Sequence, residues 1–169
     1  MEGMTTYHYS AIDAAPQILA LIGSSPTPMT ITDIIASANP LYTIADLNDA
    51  LLLLRDIDAI DIVPGTAGRR VYVSALATTS LPAGAWSTVV AAKIDTIRYA
   101  ATAARLSTNP SLLYSPATRE ACVKYFYAQG VLAAVGEAKD IDDHVDFDLR
   151  TAFEDGLWHM RGKLRPVAV

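Results

Sequence analysis

The sequence holds a single cysteine, Cys122, which excludes an intramolecular disulfide and a metal cluster built on cysteine. A lone thiol of this kind reads as a small apolar core residue. Cations are scarce where the chain begins: no Lys or Arg precedes Arg55. Apolar runs are cut by Asp, Arg, Lys or Pro well before the roughly 18 residues that cross a bilayer, and residues 1–10 lack the basic flank and cleavage pattern of a leader. A soluble, cytoplasmic protein is expected. Catalytic signatures are missing too, since no nucleophile elbow, zincin or nucleotide-binding motif occurs. The three histidines, His8, His144 and His159, stand in unrelated contexts. No enzyme activity, cofactor or metal is expected.

What is present suffices for a core: 51% of the residues are hydrophobic and 18% charged, inside the globular range. The net charge of −5 is distributed unevenly. Residues 1–75 carry eight acids (Glu2, Asp13, Asp33, Asp46, Asp49, Asp56, Asp58, Asp61) against Arg55, Arg69 and Arg70, while residues 76–169 balance ten acids with ten bases. The whole excess of negative charge belongs to the first half.

A first helix is expected from about Asp13, with Pro16 in its first turn where no amide donor is missed, to Gly23. Ile18, Leu19, Leu21 and Ile22 form its apolar side. Thr30-Ile-Thr-Asp33 and Thr43-Ile-Ala-Asp46 each have the form of a capping box and open a second and a third helix. Ile31, Ile34 and Ile35 supply the buried face of the second helix, which ends at Asn39-Pro40 because the residue before proline avoids helical geometry. Ile44, Leu47, Leu51 and Leu54 recur at helical spacing in the third, with Leu52 and Leu53 widening that face. After Arg55 the period becomes two. Ile60 and Ile62, then Val71 and Val73, read as strands joined by the turn Pro64-Gly-Thr-Ala-Gly68.

The stretch TITDIIASANPLYTIADLNDALLLLRDIDAIDIVPGTAGRRVYVS resembles the winged helix-turn-helix superfamily of prokaryotic regulators, with the third helix in the recognition position and RRVYVS as the returning wing strand. The likeness lies in pattern and spacing, and implies a domain over about residues 13–75 with Ile18, Ile34, Leu47, Leu51, Leu54 and Val71 in one core under the hairpin. One departure is the Asn39-Pro40 turn, where the superfamily often has glycine. The fold class expected is mainly α: a winged helix followed by an all-helical region.

That helical region is expected over 84–165. Leu76 to Ala85 reads as a linker, and helices follow near 86–106, 116–135 and 147–163, with Trp86, Phe126, Phe153 and Leu157 in apolar contacts. Ser115-Pro116 has the form of a cap with proline at the first helical position, and Gly136 ends that helix. Trp86 and Trp158 are expected in the core or in a dimer interface. These helices are rich in Ala, and their apolar residues occupy more than one side. A homodimer through this half, isologous and two-fold, would supply the missing cover.

Two further clusters have ordinary explanations. Gly65 to Gly68 lacks the lysine and following helix of a phosphate loop, so both glycines are assigned to the turn. Asp140-Ile-Asp-Asp-His144-Val-Asp146-Phe-Asp148 fails as an EF-hand loop, since Val145 and Thr151 stand where Gly and Glu are needed. Its last acids are assigned to the start of the final helix.

The candidate site is the third helix and the wing: Tyr42, Asp46, Asn48, Asp49, Arg55, Asp56, Arg69 and Arg70. Asn48 and Arg55 have the chemistry to read adenine and guanine. Phosphate binding, however, draws on several Lys or Arg, and here Asp46 and Asp49 occupy the end that would approach DNA. Two readings stay open. One is a non-enzymatic acidic winged-helix protein acting through protein contacts, as inhibitor, adaptor or assembly subunit, with a basic partner favoured by charge. The other is a DNA-binding transcriptional regulator with a helical dimerisation domain.

Overall fold

The computed structural model of the chain describes residues 7–106, 108–142 and 145–165. The protein is mainly α-helical, with three helices and a two-stranded antiparallel hairpin followed by a helical region. It divides into two compact units between Thr79 and Ser80.

In the first unit, α1 (Tyr9–Ser24) buries Ala11, Ile12, Ala14, Ala15, Ile18 and Ile22 along one side. It starts a turn earlier than expected, because these small and branched residues extend the apolar face back to Ala11. Pro16 consequently lies in the helix interior, exposed, and not in the first turn. There it withholds the amide donor that the Ile12 carbonyl would otherwise meet.

Both capping boxes are complete. At α2 (Ile31–Ser37) the Asp33 amide donates to Thr30 Oγ1 at 3.2 Å and the Thr30 amide to Asp33 Oδ2 at 3.0 Å. At α3 (Ile44–Asp56) the matching distances for Asp46 and Thr43 are 3.1 and 3.0 Å. Between them Asn39 makes the turn by itself, its side-chain oxygen accepting from the Leu41 amide at 3.0 Å. This is how an asparagine replaces a turn glycine.

α3 ends in a Schellman cap. Asp58 takes a left-handed φ of 60°, its amide donates to the Arg55 carbonyl at 3.0 Å, and the Ala59 amide reaches back to the Leu54 carbonyl at 2.8 Å.

Strands β1 (Ile60–Pro64) and β2 (Arg70–Ser74) pair with Ile60 opposite Ser74 and Pro64 opposite Arg70. Gly65 is needed at the tip, since a Cβ there would lie 2.8 Å from Val71 Cγ1. Met29, between α1 and α2, adds a bridge to Tyr72 on the hairpin.

The core of this unit holds Ile18, Ile34, Leu47, Leu51, Leu53, Leu54 and Ile60, each at most 2% exposed. Val71, expected with them, is only half-buried. Val71 is the second residue of β2, beside the hairpin turn.

The expected linker from Leu76 is shorter than its composition suggests. A 3₁₀ turn covers Ala75–Thr78, opened by Ser74 Oγ accepting from the Leu76 amide at 3.2 Å, and α4 (Ala83–Arg105) begins soon after.

In the second unit, α5 (Pro116–Ala134) packs against both α4 and α6 (Phe147–Leu164), and a 3₁₀ turn at Pro110–Tyr114 precedes it. Ala85, Val89, Ala92, Ala128, Val131, Leu132 and Met160 form its core. Two glycines set the distance between α5 and α6. A Cβ on Gly130 would lie 2.0 Å from the Phe153 carbonyl oxygen, and one on Gly156 would lie 2.1 Å from that of Tyr127.

Gly136 ends α5 at φ 77°, with the Glu137 amide donating to the Leu132 carbonyl at 2.9 Å. Asp146 caps α6 by accepting from the Asp148 amide at 3.0 Å. Ser115 occupies its expected cap position, but its side chain makes no bond to the helix start. The proline after it, at N1, leaves one fewer unpaired amide at the helix start.

Trp86 and Phe153 are buried, and Phe126 and Leu157 are half-buried. Trp158 is exposed, its ring under the Arg161 guanidinium at 5.1 Å. Cys122 is fully buried, and burial pushes its thiol pKa up. That suits a core residue. Asp143 and His144 of the acidic segment lie outside the described residues.

Candidate functional site

The geometry of α3 follows from its composition. Leu51 to Leu54 are four consecutive leucines, and at about 100° per residue they span roughly 300° of the helix. One of them must point away from the core. Leu53, Leu54 and Leu51 are buried with Leu47 and Ala50, and Leu52 is 42% exposed. Ile44, placed by its spacing on the inner face, is 59% exposed, because the first turn of α3 projects past the core. Leu41 just before it is 86% exposed. Ile35 on α2 also points outward in part, at 38%.

The outward arc of α3 therefore carries Ile44, Ala45, Asn48, Leu52, Arg55 and Asp56. Its centre is apolar, with one amide. No charge-only surface is present there.

The eight sequence-derived candidates separate into three groups. Tyr42 and Asp46 turn inward. Asp46 is consumed by the capping box, and the Tyr42 hydroxyl accepts from Gln17 Nε2 of α1 at 3.1 Å. Gln17 and Tyr42 also line a cleft of about 280 Å³ with Leu21, Ser37 and Asn39, at the small end of the range for ligand pockets.

Asn48, Arg55 and Asp56 share the outer side of α3, with the half-buried Asp49 at its edge. Arg55 Nη2 reaches Asp56 Oδ1 at 3.3 Å, and the Tyr7 hydroxyl donates to Asp56 Oδ2. Tyr7, which sequence reasoning missed, has its hydroxyl pKa pushed up to about 12. Burial is the main cause, followed by the bond to Asp56 and the nearby charges of Asp56 and Asp49. No local pattern announces a contact over 49 positions.

Arg69 and Arg70 form the third group, exposed at the hairpin tip. The Asp33 carboxyl is held below its ordinary pKa by the hydrogen bonds from Thr30, with a lesser contribution from Arg69. Arg69 of the hairpin thus lies close enough to α2 to act on Asp33.

In the second unit, Arg119 ties the chain before α5 to the start of α6. Its Nε donates to the Leu113 carbonyl at 3.3 Å, and its Nη1 meets Asp148 and lies 3.7 Å from Asp146. The Tyr127 hydroxyl bonds His159 Nδ1. Lys163 Nζ donates to Thr88 Oγ1 at 2.7 Å.

Among the described residues no group of three or more His, Cys, Asp or Glu side chains is arranged to hold a metal ion. Among them, too, no helix is long and apolar enough to cross a membrane. Comparison with known protein families, with curated proteins and with solved structures finds no match to this chain.

Proposed function

We propose that the N-terminal unit is an acidic winged helix acting as a non-enzymatic protein-interaction module, an inhibitor, adaptor or assembly subunit, with the outward arc of α3 as its docking face. Three helices, a hairpin and the bridge from Met29 to Tyr72 support the winged-helix reading. One observation carries the choice of partner. The helix in the recognition position presents Ile44 and Leu52 to water, continued by Leu41. Exposed aliphatic side chains gain free energy when a partner removes them from water, and protein surfaces offer such apolar cover far more than a phosphate backbone does. The partner that fits is apolar at its centre and basic where it meets Asp49 and Asp56.

The alternative, a DNA-binding regulator, draws on the exposure of Asn48 and Arg55. Against it, the Arg55 guanidinium already contacts Asp56. Arg69 and Arg70 offer about two phosphate contacts, fewer than the six to ten of strongly salt-dependent DNA binders.

The test places a photo-crosslinking residue at Leu52 in the full chain, with the exposed Ser24 at the end of α1 as a control site. It is paired with an electrophoretic shift on mixed-sequence duplex DNA at low salt. A protein crosslinked from position 52 and weakened by Asp49→Lys with Asp56→Lys supports the reading, together with no shift of DNA by the wild type. A defined operator bound by the wild type and lost in Asn48→Ala overturns it in favour of the regulator.

A further inference from the structure

The inner side of α6 is fully engaged. Leu149, Ala152, Phe153, Gly156 and Met160 are buried, with Gly156 against the backbone at Tyr127. The opposite side is not. Phe147 and Trp158, 78% and 59% exposed, are eleven positions apart on this helix. Eleven residues make about three turns with an angular offset of roughly 20°, so both rings lie on one stripe about 16 Å apart along the axis. Gly156 falls roughly opposite that stripe.

Charge also runs along the helix. Asp146 and Asp148 stand at its start, while Arg161 and Lys163 occupy the last turn and Arg165 the C-cap. The helix dipole alone accounts for that order of charges. It does not account for large aromatic rings left in water at the first residue of the helix and nearly two turns before its end.

We propose that α6 is a self-association helix: two copies of the chain lay their α6 helices antiparallel across a two-fold axis, each Phe147 resting on the partner subunit's Trp158. The two-fold then passes between Ala152 and Phe153, midway between the rings. Charge complementarity selects this occupant and this direction. An antiparallel copy brings Arg161 of each helix within about one turn of the level of Asp146 and Asp148 in the partner, whereas a parallel copy sets acid on acid and base on base.

The start of α6 stays net negative, because Asp146 and Asp148 share the one Arg119 guanidinium. The Arg161 guanidinium on the Trp158 ring keeps cation and indole together at the other end. Arg150 and Glu154, 3.9 Å apart on one flank, come nearly level with the same pair in the partner. Arg150 of each copy can then meet the partner subunit's Glu154, twice over, as an isologous interface requires. The proposal is independent of the reading of α3.

Sedimentation velocity on the full chain, from about 1 to 100 μM, tests it. The wild type should show a concentration-dependent dimer. Phe147→Ser and Trp158→Ser should each weaken association at least about tenfold, with the unfolding transition unchanged at a protein concentration where the wild type is monomeric, because both rings are exposed in the single chain. Arg150→Glu and Glu154→Arg should each weaken the dimer alone, and an equimolar mixture should recover it, since the mixed pair restores opposite charge at both contacts. A monomer throughout the range, a dimer indifferent to both Ser variants, or a mixture that fails to recover overturns the proposal.

Discussion

Replacing a helical glycine by alanine normally stabilises a protein by about 0.5–1 kcal/mol, because the unfolded chain loses freedom that the helix never had. Gly162, near the end of α6, should behave in this way, since a Cβ there meets nothing within 4 Å. Gly156, six residues earlier in the same helix, should do the reverse. Its Cβ would lie 2.1 Å from the Tyr127 carbonyl oxygen and 3.0 Å from the carbonyl carbon. Ordinary contact between such atoms needs more than about 3.4 Å, so the shortfall exceeds about 1 Å. Both obstructing atoms are backbone, and neither can rotate aside.

The two helices must therefore separate by about that amount, and Val131, Phe153 and Met160 lose close contact as they do. Overpacking of this kind costs about 1–3 kcal/mol. After the intrinsic helical gain of about 0.5–1 kcal/mol is subtracted, Gly156→Ala should lower stability by about 1 kcal/mol, and Gly130→Ala, 2.0 Å from the Phe153 oxygen, by a similar amount. For a unit of this size that is about 4–8 °C in the midpoint of the helical unfolding transition. Gly162→Ala should raise the midpoint by a few degrees. The double variant Gly130→Ala with Gly156→Ala should fall short of the sum, because the first substitution already opens the seam that the second needs opened. Circular dichroism melts of the wild type and the four variants decide it. If Gly156→Ala melts at or above the wild-type temperature, the close approach of α5 and α6 is wrong.

Leu52 and Leu53 are neighbours with opposite surroundings, at 42% and 0% exposure. Leu52→Ala should change stability by about 0.5 kcal/mol or less and Leu53→Ala by about 2–5 kcal/mol; equal effects in urea titrations would refute the assigned rotation of α3. Asp58 holds a left-handed φ that glycine adopts freely, so Asp58→Gly should stabilise, and Gly136→Ala at the corresponding cap of α5 should destabilise by about 1 kcal/mol. Opposite signs in a chemical melt are the expected result, and a loss of stability in Asp58→Gly would contradict the Schellman cap.

Tyr7 has a folded-state pKa of about 12, above its ordinary 10.0. Its stabilising contribution is accordingly complete below pH 10 and lost as pH rises toward 12. The stability gap between wild type and Tyr7→Phe should shrink across that window, and a titration at the tyrosinate absorbance band should lose its latest component in the variant. A gap that widens instead would mean that Tyr7 is not held as a neutral donor.

The N-terminal fold was legible because its signals are local. Two Thr–x–x–Asp boxes mark two helix starts with reciprocal hydrogen bonds over three residues. The change from helical to alternating period after Arg55 marks the hairpin. Signals that depend on distant residues were not legible. The early start of α1 is settled by the cover that other elements give Ala11 and Ile12. The glycines at 130 and 156 look like weak points inside helices until another helix backbone is placed against each. Trp158 reads as core or dimer interface from its helical face, and its stripe lies opposite the face that α5 covers, so it is not core.

The site shows the same division, with a consequence for how it works. Charge counting assigned the acidity of the first half to a binding face, but the structure gives several of those acids other work. Asp33 and Asp46 close capping boxes, and Asp58 forms the left-handed cap of α3. Asp56 remains in the outward arc with Asp49 at its edge, and Asp56 already holds Arg55 and Tyr7. The negative potential that a partner meets is thus weaker than the net charge suggests. What the face has in full is aliphatic surface, in Leu41, Ile44 and Leu52, which a helical projection of the leucine run would have exposed in part. Partly screened carboxylates at the edge of an interface act mainly on the rate of encounter and on orientation, and buried apolar contacts act on the lifetime of the complex. On the proposed reading, then, the acids of α3 choose the direction of approach while Ile44 and Leu52 hold the partner in place.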